Sequence, residues 1–264
     1  MMTTLEEIVA YKKLELAEAK RARPASLLEK EIKNRSPRRD FRRAISGKGK
    51  IHLIAEIKRA SPSAGMMRPN SDAVATAKTY VQAGAHALSI LTDSKFFAGS
   101  LADLSAVREV VSVPLLRKDF TLEEYHLLEA SAAGADAVLL IVAILPRPVL
   151  KRLTELARDL SLTTLVEVHT EQELGEALET GAEMIGINNR NLATLQVDLE
   201  TTQALARLIP KEELGRRTLV AESGIHSRDD LEFVQAQGVD AVLIGEELMK
   251  AEDPAKRIKE LMGW

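Results

Sequence analysis

The residues best suited to chemistry begin in the stretch 51–65, IHLIAEIKRASPSAG. Its apolar start is typical of a buried strand, yet it carries Glu56 and Lys58 near its end. Residues two apart on a strand point to the same face, so a carboxylate and an ammonium should lie side by side among apolar neighbours. Burying such charges is costly unless they are paired or used. This stretch alone fits a structural ion pair and a functional site about equally well.

Other predicted strands also end in charged or polar residues. They are Lys118, Asp119, Glu167, Asn188, Arg190, Glu222, Ser223 and Gly245. Single members have structural explanations, such as helix capping by Asp119. In a barrel, however, the carboxyl ends of all strands form one rim, so the set should converge on one mouth. Because burying so many charges without use is expensive, the whole set predicts a functional site.

This set of lysines and glutamates suits proton transfer at carbon and oxygen. Lysines in an apolar mouth are expected to have lowered pKa values and to act as acids near neutral pH, with glutamates as bases. The substrate is expected to carry a phosphate group, because Ser223-Gly224 and Gly245-Glu246 follow the last two strands, where barrels bind phosphate through backbone N–H groups. Glu246 would repel a phosphate unless it points away.

From residue 51 onward, strand-like and helix-like segments alternate. The predicted strands are Ile51–Lys58, Ala87–Leu91, Pro114–Lys118, Ala137–Ile141, Thr163–Val168, Met184–Asn188, Thr218–Glu222 and Ala241–Gly245. The predicted helices include Ala73–Ala83, Leu122–Ala133, Pro148–Leu160, Glu171–Thr180 and Arg228–Gln237. Eight strands, each followed by a helix, predict an α/β fold with a single (β/α)8 TIM barrel.

An internal repeat supports this count. The phrases GAHALSIL, GADAVLLI, GAEMIGIN and GVDAVLIG begin at Gly84, Gly134, Gly181 and Gly238. Each glycine is predicted to end a helix in the left-handed conformation, immediately before a strand. The regular spacing favours a closed ring of similar units. No Gly-x-Gly-x-x-Gly follows the first strand, which weighs against a dinucleotide-binding fold.

The first 50 residues are predicted to form a helical extension. Thr4-Leu5-Glu6-Glu7 has the form of a capping box, and its helix should run to about Ala22, before Pro24. A second short helix is expected over residues 26–32. A basic run then comprises Arg35, Arg38, Arg39, Arg42, Arg43, Lys48 and Lys50. Such a run is more often a solvated face, and its functional interpretation is a positive rim that attracts an anionic substrate.

Composition excludes several classes of protein. The 264 residues are 45% hydrophobic and 28% charged with a net charge of −3, which predicts no nucleic-acid or membrane partner. No apolar run of about 18 residues appears, and the charged N-terminus lacks the apolar core of a signal peptide. The absence of cysteine excludes thiol chemistry and fits a cytoplasmic protein. Since the histidines show no ligand spacing, no metal is predicted.

Five motifs resemble those of one known enzyme family. They are AEIKRASPSAG from Ala55, LLRKDF from Leu115, LVEVHTEQEL from Leu165, GINNRNL from Gly186 and AESGI from Ala221. Each lies at a predicted strand end, in the order found in indole-3-glycerol phosphate synthase, and the resemblance covers essentially the whole chain. It implies a cofactor-free lyase of tryptophan biosynthesis. Ring closure, decarboxylation and dehydration of 1-(2-carboxyphenylamino)-1-deoxyribulose 5-phosphate would give indole-3-glycerol phosphate, CO2 and water.

The resemblance also implies roles for individual residues. Lys118 resembles the general acid, Glu167 the base of later steps, and Lys58 the partner of the substrate carboxylate. Further polar partners would be Glu56, Asn188 and Glu222, and the substrate or its phosphate would be held by Ser61, Arg190, Ser223, Gly224 and Gly245. Glu246 is left out because some relatives carry serine there. How the acid and base roles divide between Lys58/Glu56 and Lys118/Glu167 stays open.

The resemblance further implies an extension over residues 1–50 that packs on the barrel mouth, a catalytic barrel over 51–264, and no fused isomerase domain. Two other functions remain open at this point. A lysine at a strand end could form a Schiff base, as in an aldolase, which borohydride would trap. A non-catalytic phosphosugar-binding barrel is the third possibility, although binding one phosphate needs far fewer buried charges.

Overall fold

The barrel predicted from the sequence is present in the computed structural model, which describes residues 4–47 and 49–264. Eight parallel strands close into a ring, in which each strand pairs with the next along the chain and the last pairs with the first. The strands are β1 His52–Ile57, β2 Ala87–Leu91, β3 Leu115–Lys118, β4 Ala137–Ile141, β5 Thr163–Val168, β6 Met184–Asn188, β7 Thr218–Glu222 and β8 Ala241–Ile244. A small hairpin, Ala60–Ser61 with Gly65–Met66, follows β1.

Helices precede the barrel and connect its strands. Those of the extension are α1 Thr4–Ala22, α2 Ala25–Lys33 and α3 Phe41–Ala44. The connecting helices are α4 Ala73–Gln82, α5 Ser94–Phe97, α6 Leu101–Arg108, α7 Glu124–Ala133, α8 Arg147–Asp159, α9 Glu171–Glu179, α10 Glu200–Leu208, α11 Lys211–Leu214, α12 Arg228–Ala236, α13 Glu246–Lys250 and α14 Pro254–Met262. A 3-10 turn, Val142–Ile144, lies between β4 and α8.

The repeat glycines take the conformation expected of them. Gly84, Gly134, Gly181 and Gly238 have φ angles of 104°, 90°, 74° and 87°. This left-handed backbone is open to glycine at no steric cost, so the chain leaves each helix and enters β2, β4, β6 or β8 directly.

The interior of the barrel is apolar and is closed at the end where the strands begin. Its buried residues include Ile54, Leu116, Leu139 and Leu165 from the strands. Phe41 and Ile45, in and just after α3, are fully buried in the same cluster. The end of the extension, around α3, therefore closes the barrel floor, opposite the carboxyl ends of the strands.

The basic run lies at this floor. The guanidinium groups of Arg38, Arg39 and Arg42 donate hydrogen bonds around the first residues of several strands. Their acceptors include the carbonyls of Leu160 and Val113 and the hydroxyl of Thr218. The functional interpretation, a positive rim at the mouth, is thus wrong for these three arginines, and they are not a fully solvated face either, because they donate hydrogen bonds at the opposite end of the barrel. Lys48 lies outside the described residues.

Helix α1 covers the mouth and has a lysine on its buried apolar face. It ends at Ala22, as predicted, and buries Ile8 and Leu16, whereas Leu14 is exposed. Lys12 takes a buried position instead, where it forms ion pairs at the ends of β2 and β3. Hydrophobic spacing alone does not reveal a buried lysine, because its burial depends on carboxylates from distant segments.

Candidate active site

One cavity opens at the carboxyl ends of the strands. It is lined by all eleven site residues named from the sequence: Glu56, Lys58, Ser61, Lys118, Glu167, Asn188, Arg190, Glu222, Ser223, Gly224 and Gly245. Barrel closure brings them together, because parallel strands all present their carboxyl ends on the same side. The predicted convergence is confirmed, whereas the role of each residue remains a prediction.

Lys118, the last residue of β3, occupies the centre of this group. Its Nζ lies 2.7 Å from Glu167 Oε2 on β5 and 2.7 Å from Glu222 Oε2 on β7. Burial lowers the pKa of Lys118, but the negative charges of Glu167, Glu222 and Glu56 outweigh it, so the pKa lies well above its usual range. The expectation of a lowered lysine pKa is therefore wrong here. Lys118 is held as a cation.

The two carboxylates that bind Lys118 have different surroundings. Burial raises the pKa of Glu167, but Lys118 and His169 outweigh it and hold the pKa below its usual range. Burial raises the pKa of Glu222, and the attraction of Lys118 only partly offsets this. One carboxylate is thus held ionised while its neighbour holds a proton more readily, which is the pattern of an acid–base pair.

Glu56 and Lys58 form the side-by-side pair expected from their spacing on β1. Lys58 Nζ lies 2.7 Å from Glu56 Oε2, and the Glu56 side chain is almost fully buried. The Ser89 hydroxyl on β2 lies 3.5 Å from the other oxygen of Glu56. Lys58 remains partly exposed to the cavity, so it can approach an anionic ligand without leaving its carboxylate partner.

Asn188, at the end of β6, links three neighbouring strands. Its amide nitrogen donates to Glu167 Oε1 at 3.2 Å, and its amide oxygen accepts from the Ser223 hydroxyl at 2.9 Å. The same oxygen accepts the backbone N–H of Arg190 at 3.0 Å. Asn188 therefore orients both the central carboxylate and the loop after β6.

The expected phosphate side of the cavity combines backbone and arginine. Ser223 and Gly224 both have left-handed backbone, with φ of 66° and 85°, and Gly245 caps the start of α13. The first residue of this helix, Glu246, lies 3.4 Å from Arg190 Nη2 and also accepts a hydrogen bond from Lys250. An anionic ligand would therefore compete with Glu246 for Arg190.

Two glycines leave the space that carboxylates occupy, and only one of them was named from the sequence. A Cβ at Gly186 on β6 would lie 2.2 Å from Glu222 Oε1. A Cβ at Gly245 would lie 2.3 Å from Glu56 Oε2. Gly186 lies two residues before Asn188, so the alternation of strand faces places both on the cavity side.

Sequence reasoning also missed the apolar wall of the cavity. Its members include Leu5, Ile8, Phe97, Phe120, Leu139 and Leu192. The rings of Phe97 and Phe120 lie 6.0 Å apart. These residues come from α1, α5, β4 and two loops, and no single stretch of sequence carries their pattern. The cavity thus has a charged centre beside an apolar wall.

Neither a metal cluster nor a membrane span is found in the described part of the chain. No group of three His, Asp or Glu residues within 4–47 and 49–264 is arranged to hold a metal ion. No helix in these ranges is both long enough and apolar enough to cross a membrane. The absence of a cofactor stays a prediction.

Comparison with known proteins identifies the family that the motifs resemble. The family model described as indole-3-glycerol phosphate synthase matches residues 5–261. A protein of that name from Rippkaea orientalis is 47% identical, over 98% of this chain and 89% of its own. Another, from Roseiflexus castenholzii, is 45% identical over 100% and 99% of the two chains. The resemblance predicted from the motifs is confirmed.

Solved structures of other proteins share the barrel. A 3-hexulose-6-phosphate synthase from Salmonella typhimurium matches with a TM-score of 0.64 and 13% identity, over 81% of this chain and 97% of its own. A thiamine phosphate pyrophosphorylase from Pyrococcus furiosus matches with a TM-score of 0.60 and 20% identity, over 84% and 96%. At this identity the likeness concerns the fold alone.

Proposed function

Because the chain belongs to the indole-3-glycerol phosphate synthase family, we propose that it converts 1-(2-carboxyphenylamino)-1-deoxyribulose 5-phosphate to indole-3-glycerol phosphate, CO2 and water. The observation that carries the proposal is the position of Lys118, a buried cation between Glu167 and Glu222 in a cavity with an apolar wall. The reaction needs an acid at the ketose oxygen and a base for the later proton removals, next to a surface for an aromatic ring.

In the proposed ring closure, the aromatic carbon that bears the carboxylate attacks the ketose carbonyl carbon while Lys118 donates a proton to its oxygen. The carboxylate then leaves as CO2, with Lys58 placed to hold it until that step. The hydroxyl then leaves as water with a proton donated by Lys58, and removal of a ring proton by Glu167 completes the indole. Glu56, Asn188 and Glu222 would position the lysines and the intermediate.

We propose that the two ends of the substrate bind different parts of the cavity. The phenyl ring suits the apolar wall that includes Phe97 and Phe120. The phosphate suits the opposite side, where backbone N–H groups near Gly224 and Gly245 meet the guanidinium of Arg190. Ser61 and Ser223 would add hydroxyl contacts.

The charge state of Lys118 disfavours an aldolase. A lysine that forms a Schiff base must first lose its proton, and Lys118 is held as a cation by three carboxylates. The synthase chemistry uses the proton instead. Treatment with borohydride and substrate should therefore leave no covalent adduct.

We also propose the domain division expected above, with an extension over residues 1–50 and a catalytic barrel over 51–264. Leu5 and Ile8 of α1 line the cavity, while α3 lies at the opposite end, so the extension serves both the site and the barrel floor. A cytoplasmic location stays a prediction.

Continuous fluorescence after addition of the substrate to purified protein, with EDTA present, tests the activity. An indole signal should appear with the wild-type protein and be lost in Lys118→Ala. Lys78→Ala, which removes an exposed lysine from α4, is the matched control and should keep full activity. A flat trace from folded wild-type protein would refute the proposed function.

A further inference from the structure

His169, one residue beyond β5, lies between two carboxylates. Its Nδ1 is 3.0 Å from Glu173 Oε2 on α9, and its Nε2 is 3.3 Å from Glu167 Oε1. Glu173 Oε2 also accepts the backbone N–H of His169 at 2.7 Å. The imidazole is about nine-tenths buried, so water contributes little to its charge balance.

This geometry favours a charged ring: Nδ1 contacts Glu173, and Nε2, which has no hydrogen-bond partner among the described residues, faces the Glu167 carboxylate at 3.3 Å. A neutral imidazole carries one N–H, so one of its two nitrogens would present a lone pair to a carboxylate. The imidazolium presents an N–H to both sides and avoids that repulsion. Burial lowers the pKa of His169, but Glu167 and Glu173 outweigh it and raise the pKa to about 10. His169 is therefore a cation at neutral pH.

The cation contacts only one of the carboxylates that bind Lys118. Glu167 Oε1 receives the amide of Asn188 as well as the contact with His169, and Glu167 Oε2 receives Lys118. Glu222 Oε2 receives Lys118, but its Oε1 has no hydrogen-bond partner in the described part of the chain. The contacts thus favour a charged Glu167 and leave room for a proton on Glu222.

We propose that His169, clamped as an imidazolium by Glu173, is a positioning residue that keeps Glu167 ionised and leaves the proton of the carboxylate pair on Glu222. In its bearing on the reaction, the proposal rests on the proposed function. It explains why Glu167 rather than Glu222 would act as the base, and it makes Glu222 a second proton carrier. The charged groups around His169 and Glu167 are Glu173 on α9, Lys118 on β3, Glu222 on β7 and Glu56 on β1.

The charge of His169 is measurable without substrate. Long-range proton–nitrogen NMR on protein with 15N-labelled histidine distinguishes imidazolium from the neutral tautomers, and His169→Gln identifies the signal. We expect a doubly protonated ring at pH 8 in the wild-type protein. Glu173→Gln should lower the pKa of this ring by more than about one unit, since it removes one of two adjacent negative charges. Glu171→Gln, an exposed change in the same helix, should leave it unaltered. A neutral ring at pH 8 would overturn the proposal.

The consequence for turnover is a shift in the pH profile. Without the cation the pKa of Glu167 rises, so its basic form appears only at higher pH. In His169→Gln the acidic limb of the kcat profile should move up by about one pH unit, with KM little changed. In Glu173→Gln the ring stays charged at the acidic limb, so that limb should keep its position. An unmoved limb in His169→Gln would overturn the proposal. Wild-type protein without turnover would refute the proposed function alone, because the NMR measurement still decides the charge of His169.

Discussion

Replacement of Lys12 by methionine tests how helix α1 is held over the cavity. Lys12 Nζ lies 2.9 Å from Asp93 Oδ2 and 3.0 Å from Asp119 Oδ1, and all three side chains are almost fully buried. Burial lowers the pKa of Lys12, but the charges of Asp119 and Asp93 outweigh it and raise the pKa above its usual range. Methionine keeps much of the side-chain length but removes the charge.

The contacts of the two aspartates indicate how much stability Lys12→Met should lose. Removing one member of a buried ion pair costs about 3–5 kcal/mol, because the remaining charge stays buried without a partner. Asp119 would keep its ion pair with Arg117 Nη2 at 3.0 Å, whereas Asp93 Oδ2 accepts no hydrogen bond among the described residues. The destabilisation therefore comes mainly from the buried charge of Asp93, which is left without a cation. We expect about 3 kcal/mol, the low end of that range, or a decrease in Tm of roughly 6–12 °C.

Thermal unfolding followed by circular dichroism measures this loss, and Lys13→Met is the matched control at the next, exposed position. Adding Asp93→Asn to Lys12→Met should recover part of the lost stability, because it removes the unpaired charge. The KM should also rise in Lys12→Met, since Leu5 and Ile8 of the same helix line the cavity. If Tm stays within about 2 °C of the Lys13→Met value, the reasoning is refuted.

Three further predictions concern glycine positions and a buried histidine. Gly186→Ala would place a Cβ 2.2 Å from Glu222 Oε1, so displacement of the carboxylate should lower kcat/KM at least about tenfold. The Cβ added by Gly175→Ala would have no atom within 4 Å, on an exposed face of α9. Because alanine is more stable than glycine inside a helix, denaturant titration should show an unfolding free energy about 0.5–1 kcal/mol higher, with unchanged activity. His126 Nδ1 accepts the N–H of Leu122, and burial lowers the pKa of His126 to about 3. Because the unfolded histidine takes up its proton near pH 6.5, unfolding free energy should fall as pH drops below that value, by up to about 1.4 kcal/mol per pH unit, and His126→Gln should flatten this slope.

Much of the fold is encoded by local patterns. The eight strand predictions agree with the structure to within a residue at each end, because apolar runs alternate with amphipathic stretches and left-handed glycines mark every second junction. Helix α1 ends where Pro24 requires it. Local patterns did not predict the place of the basic run, since a guanidinium group can lie in water or donate to free carbonyls, and only the closed barrel brings those carbonyls to it.

The sequence by itself determined the barrel, the family and the residues of the candidate site. Strand alternation places Glu56 beside Lys58, and parallel strands share one carboxyl edge. Tertiary structure alone decided the charge states. Lys118 meets Glu167 and Glu222 only after the ring closes, and burial there makes the energy of each charge depend on neighbours that are remote along the chain. The same holds for Lys12, whose carboxylate partners come from the ends of β2 and β3.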